Sequence, residues 1–118
     1  MAATATIRLT ATVTGLAAGE LTVGPLEIQS TAAVGERRSP LDLSIGDNTI
    51  AVPAAATMAL FIPPSANAQA ITLKGVSGDT GVRLHKTKPS LLTMDAAANA
   101  TLVLNAAGAV AGCELIFF

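Results

Sequence analysis

Between residues 4 and 14 the chain reads TATIRLTATVT, and apolar and polar positions alternate without a break. Ala5, Ile7, Leu9, Ala11 and Val13 fall on one face, with Thr4, Thr6, Arg8, Thr10, Thr12 and Thr14 on the other. A period of two in residues of this kind predicts a half-buried strand. GLAAG breaks the pattern, and ELTVGPLEIQS resumes it with Leu21 and Val23 before Leu26 and Ile28. The parity changes at Gly24-Pro25. Because proline cannot donate to a ladder, that dipeptide predicts a bulge or an edge position.

The same reading continues along the chain. PLDLSIGDNTIAVP predicts a hairpin, with Leu41, Leu43 and Ile45 on one side, GDN as the turn, and Ile50 and Val52 returning. TMALFIPPSANAQAITLKG predicts a second pair of strands. VRLH, SLLTM, ATLVLN and AGCELIFF supply further short runs. MDAAANATLVLN is alanine-rich, and Asp95 is placed to cap a short helical turn near residues 95–100 before a strand through Leu102 and Leu104. Strand signals about every ten residues, with turn chemistry between them, predict an all-β fold: a single antiparallel β-sandwich domain over residues 1–118, jelly-roll-like.

Composition narrows what such a domain does. Only 13% of the 118 residues are charged, against 51% hydrophobic, where soluble monomers carry roughly a quarter charged. A surface so sparing in charge suits one partly covered by other subunits, and a homo-oligomer is expected. The formal net charge of −1, with no Trp, no Tyr and three Phe, offers neither a basic field nor stacking platforms, so nucleic acid is not an expected partner. Nor is a membrane: the longest apolar stretch, IAVPAAATMALFIPP, is broken by prolines and too short to span, and no signal-peptide order of parts is present. The one cysteine, Cys113, permits no internal disulfide and no cysteine-based zinc cluster.

KGVSGDTG, residues 74–81, is the stretch that most invites a chemical reading. A phosphate-cradling loop of the Walker type needs its lysine after the glycines and a helix behind it; Lys74 comes first, and the alternating VRLH follows. The dinucleotide spacing fails as well, since the glycines are three apart throughout. The stretch predicts a turn between strands, with glycines at positive φ and Asp79 closing an Asx turn. His85 is the only histidine, no G-x-S-x-G elbow is present, Cys113 sits in an apolar run, and the acidic residues lie scattered. No catalytic, metal or cofactor site is expected, and the chain does not read as an enzyme. NAT at 99–101 matches a glycosylation sequon, which means little without export.

Candidate contact residues remain. Arg83, His85, Lys86 and Lys88 concentrate basic character within six residues, with Leu84 pointing inward if the segment is extended. They suit an acidic partner surface, or equally a solvated edge strand protected by lysines. Glu36, Arg37 and Arg38 read as an exposed loop, with an ion pair across a subunit contact as the functional alternative. ELIFF at 114–118 is apolar on both faces, so either this strand is central or Phe117 and Phe118 help to meet another subunit.

The run ALFIPPSANAQAITLKGVSGDTGVRLHKTKPSLLTMD, with the alanine-rich strand and AGCELIFF after it, resembles small virion structural proteins of tailed bacteriophages. The resemblance covers mostly residues 57–118 and is one of composition and turn spacing. It implies a β-sandwich made in the host bacterial cytoplasm that joins the virion, decorating or cementing the capsid, with capsid or tail subunits as partners. A tail or fibre component is the alternative within that class. A sandwich that binds host carbohydrate is the alternative outside it, against which the missing Trp and Tyr count.

Overall fold

A computed structural model describes residues 3–32, 36–95 and 101–118. β1 (Ala3–Val13) and β2 (Leu21–Ala32) form an antiparallel two-stranded sheet and pair with nothing else. In the ladder Ile7 faces Ile28, Leu9 faces Leu26, Ala11 faces Val23 and Val13 faces Leu21. Opposed residues share a face, so every apolar side chain of this set lies on one side of the ribbon, with Thr6, Arg8, Thr12, Thr22, Glu27 and Gln29 on the other. The bulge at Gly24-Pro25 makes this possible. It spends one extra residue on β2 between Leu9 and Ala11, which returns Leu21 and Val23 to the face of Leu26 and Ile28. Gly24 takes φ +89°, and a Cβ there would stand 2.3 Å from the carbonyl oxygen of Leu9. Only glycine fits.

The remaining strands are β3 (Glu36–Leu43), β4 (Gly46–Ala51), β5 (Met58–Ile62), β6 (Ile71–Lys74), β7 (Val82–Arg83), β8 (Ser90–Thr93), β9 (Thr101–Ala106) and β10 (Val110–Phe117). They build two antiparallel four-stranded sheets, ordered β3-β10-β5-β8 and β4-β9-β6-β7. One apolar core lies between them. Leu43, Phe61, Cys113, Leu115 and Phe117 come from the first sheet, and Ile50, Ile71, Leu102, Leu104 and Ala106 from the second. Among the described residues, the core takes none from β1 or β2. The radius of gyration, 15.7 Å, exceeds the roughly 13–14 Å of a compact chain this long, as a ribbon standing off a packed body requires.

The all-β, antiparallel expectation holds, and three local expectations change. Strands β3–β10 form the two-sheet body, and β1 and β2 pair only with each other. PLDLSIGDNTIAVP is not a hairpin: β3 pairs with β10 and β4 with β9. The chain crosses between sheets at 44–45, leaving Ile45 73% exposed. Asn48 holds that crossing, accepting hydrogen bonds from the N–H and hydroxyl of Ser44 and donating to the carbonyls of Ser44, Gly46 and Leu104. TMALFIPPSANAQAITLKG likewise splits between sheets, β5 beside β10 and β6 beside β9. Glu36, Arg37 and Arg38 lie in β3 and not in a loop, opposite Phe117, Ile116 and Leu115. Of the helical turn near 95–100, Asp95 is outside any helix and 96–100 lie outside the described residues.

KGVSGDTG is the turn between β6 and β7, as expected, with Gly78 and Gly81 at positive φ but not Gly75. Asp79 accepts from the N–H of Val76, and Leu73 opposes Val82 across the hairpin. Gly81, at φ +72°, passes so close to β6 that a Cβ would meet the Leu73 carbonyl oxygen at 2.4 Å.

Candidate interaction surface

β10 is central, between β3 and β5, and its inward positions Cys113, Leu115 and Phe117 are buried. Phe117 is 1% exposed and Phe118 7%. Phe118 is further tied down through its backbone, donating to the Met58 carbonyl and accepting from the N–H groups of Thr57 and Met58. Both phenylalanines therefore leave the set of candidate contact residues: they are covered by the chain's own core, on and just after a central strand whose inner face is buried. Arg37 and Arg38 find partners within the chain. Arg37 pairs with Glu114 on the outer face, while Arg38 pairs with Glu36 at 2.7 Å and donates to the Ala51 carbonyl.

Arg83, His85, Lys86 and Lys88 are all exposed, and Leu84 packs against the core. His85 ends the turn: its Nδ1 accepts from the N–H groups of Thr87 and Lys88, both at 3.1 Å. That geometry places the ring proton on Nε2 and spends Nδ1 on the backbone. Among the described residues no three His, Cys, Asp or Glu side chains come together. Burial, and secondarily the Asp42 carboxylate, pushes the Cys113 thiol up, opposite to the shift an activated cysteine needs.

A second well-bonded polar side chain is Asp47 on β4. It accepts from the Ser77 hydroxyl at 2.6 Å, the Asn105 amide at 2.7 Å and the Lys74 ammonium at 3.2 Å. These donors, in that order of effect, lower its pKa from 3.8 to about 2. A depressed carboxylate adds stability above the unfolded value and loses it as pH falls through the folded one. Asp47→Asn is therefore expected to lower the urea midpoint at pH 7, with the gap from wild type closing between pH 4 and 2. A gap of unchanged size at pH 2 would show that the carboxylate's charge is not what ties β4, β6 and β9.

Two features on this surface are apolar where water should be. The first is the ribbon, whose Leu9, Val13, Leu16, Leu21 and Leu26 are each between 39% and 49% exposed. The second is a cleft of about 230 Å3 where the two sheets part at their β7 and β8 edges, walled by Phe61, Leu73, Leu84, Leu92, Leu102 and Leu104. Among the described residues, eight of the ten exposed large apolar side chains belong to these two places: the five above, with Val82, Leu91 and Leu92 at the cleft.

Comparison with protein families, with curated proteins and with solved structures finds no match. The reading of this surface therefore rests on its physical chemistry. No helix of the described residues is long and apolar enough to cross a membrane.

The ribbon was half legible in the sequence. The alternation at 4–14 and the parity change at Gly24-Pro25 gave its faces correctly; what they did not reveal is that no core backs it. The cleft left no signal, because it arises from β7 stopping after two residues.

Proposed function

We propose that the chain is a non-enzymatic structural subunit of a virion, a capsid decoration or cement protein that stabilises a phage shell through subunit contacts. The observation that carries this is the β1–β2 ribbon. An isolated two-stranded ribbon is marginal in water, and this one keeps a strip of leucine, isoleucine and valine on a single face, with no other sheet paired to it among the described residues. Such a strip gains its stability from what it lies against. With ~25 cal/mol per Å2 of apolar surface removed from water, each contact is modest, and repetition over a lattice multiplies it.

The body favours the same reading. Strand orders β3-β10-β5-β8 and β4-β9-β6-β7 suit a jelly roll, eight strands that alternate between two sheets, an architecture frequent in viral capsid proteins. Fold alone does not fix function, so the shape counts only alongside the ribbon. Four ion pairs engage eight of the charged side chains, which keeps the exterior weakly charged.

The test is co-sedimentation with phage shells assembled without decoration proteins. Wild type is expected to bind in stoichiometric proportion and to raise the temperature at which the shells open. Leu9→Ser/Leu26→Ser is expected to lose at least tenfold in binding while its own melting temperature stays within a few degrees. Wild type that remains in the supernatant with every shell tried, or a double variant that binds as well as wild type, would remove the proposal's support.

A further inference from the structure

We infer that the distal half of the β1–β2 ribbon of one copy seats in the β7/β8 cleft of a second copy. The cleft is an unfinished part of the core. Val82 opposes Leu73 and Leu92 opposes Ala59, so both side chains point into the space between the sheets, where their partners are packed. Yet Val82 is 66% exposed and Leu92 38%. Inward-facing positions so open to water mark a gap that lacks an apolar filler.

The chain carries a candidate filler. At the distal end of the ribbon Val13 and Leu21 are paired across the ladder, with Leu16 at the tip turn, and all three are exposed. The proximal pair Ile7 and Ile28 is half-buried, while Leu9, Val13, Leu16, Leu21 and Leu26 beyond it are exposed, so the half of the ribbon away from the body is the part most in need of cover.

Charge agrees with this orientation. Four of the seven Lys and Arg side chains, Arg8, Arg37, Arg38 and Lys74, take part in ion pairs within the chain. The other three, Arg83, Lys86 and Lys88, are exposed and lie between Val82 and Ser90, in the segment that joins two strands lining the cleft. Glu20 stands beside Leu21 at the ribbon tip and is exposed. Seating the tip brings Glu20 to that basic rim. An edge charge of this kind steers and orients more than it adds affinity.

The geometry makes the contact one between copies. The ribbon joins the body at β3 and the cleft borders β8, which are the two outer strands of one sheet. Ribbon into cleft is thus head to tail, a heterologous contact that closes into a ring or runs on as a filament. The footprint is small beside the ~1,600 Å2 of a stable interface, so the contact is concentration-dependent and strengthened by closure. It deepens the assembly reading and rests on it only in requiring several copies at close quarters.

Engineered cysteines test it, because native Cys113 is fully buried and stays silent. V13C chains and V82C chains, mixed at about 100 μM in a glutathione buffer, are expected to form a disulfide-linked heterodimer in at least fivefold excess over either homodimer. Val82→Asp/Leu92→Asp is expected to weaken self-association at least tenfold in sedimentation velocity without a change in far-UV circular dichroism. Dominant V13C homodimers would mean that ribbons stack face to face and would overturn the inference. So would an intrachain disulfide in dilute V13C/V82C, or a wild type that stays monomeric throughout. Shell binding is scored separately. Shells bound without the heterodimer would sink this contact and spare the cement reading; the heterodimer without shell binding would do the reverse.

Discussion

Phe117→Ala is expected to cost on the order of 3–5 kcal/mol, the range for removing a buried phenylalanine side chain. Phe117 is 1% exposed and sits on the central strand of its sheet, opposite Glu36 of β3 and Ala59 of β5. Its ring belongs to the core shared by both sheets, where the neighbouring backbones are fixed by ladders and leave little room to collapse into the hole. Domains of this size hold only ~5–15 kcal/mol in total, so the variant stands near the edge of folding. With a urea slope of ~1–3 kcal/mol per molar, the midpoint should fall by roughly 2 M. Leu9→Ala, which removes an apolar side chain of the ribbon, should leave the midpoint of the body within about 0.5 kcal/mol of wild type. If the two variants behaved alike, the division between a packed body and an unbacked ribbon would be wrong.

That contrast also shows what the residues disclosed and what they withheld. Alternation reports which side chains share a face, and it did so correctly for Ala5 to Val13. It is blind to what the face meets, because a strip covered by a sheet and one covered by another molecule use the same residues. The pairings failed for a related reason. Leu41 and Leu43 run up to GDN, and Ile50 and Val52 run away from it, as in any hairpin. Only the partners β9 and β10, more than fifty residues further on, decide that the two strands belong to different sheets. Local turn chemistry carries no information about contacts so distant. KGVSGDTG was legible because everything that decides it is local: the Asp79 carboxylate, the Val76 N–H and the crowding at Gly81. ELIFF was ambiguous for the opposite reason, since a central strand and one offering a face to a partner read the same until β3 and β5 are seen on either side.

Low charge density ties these observations together. Four ion pairs and the Asp79 and Asp47 hydrogen bonds engage a large share of the ionised groups within the chain. The threonine-rich back of the ribbon is polar but almost neutral, with Arg8 and Glu27 paired to each other at 3.4 Å. Little electrostatic repulsion therefore opposes close packing of copies. Meanwhile Lys86, Lys88 and Pro89 stand at the entry to edge strand β8, where lysine and proline discourage indiscriminate strand pairing. An exposed apolar cleft beside a guarded edge accepts a shaped insert more readily than a random strand.

Gly24→Ala should disable the ribbon and nothing else. An added Cβ would lie 2.3 Å from the Leu9 carbonyl oxygen and 2.8 Å from the Leu26 nitrogen, both backbone atoms that cannot move without breaking the ladder. The backbone at φ +89° is also one that alanine rarely adopts. Relief requires losing the bulge, and losing it slips β2 by one residue on one side of position 24. Leu21 and Val23 then leave the face of Leu26 and Ile28, because a one-residue slip inverts every side chain. Ribbon amides should lose their protection from hydrogen exchange, while those of β5, β9 and β10 keep theirs. Self-association and shell binding should each fall at least tenfold. Gly15→Ala is the control: φ is +80°, but nothing lies within 4 Å of the added carbon, so a cost of about 1 kcal/mol should leave the strip intact. Equal effects from the two variants would mean that conformational strain, and not the register set by the bulge, governs the ribbon. Retained assembly in Gly24→Ala alongside lost ribbon protection would move the contact surface to the body. The bulge thus makes the assembly proposal depend on one atom: a single added carbon divides the apolar strip while leaving every core residue in place.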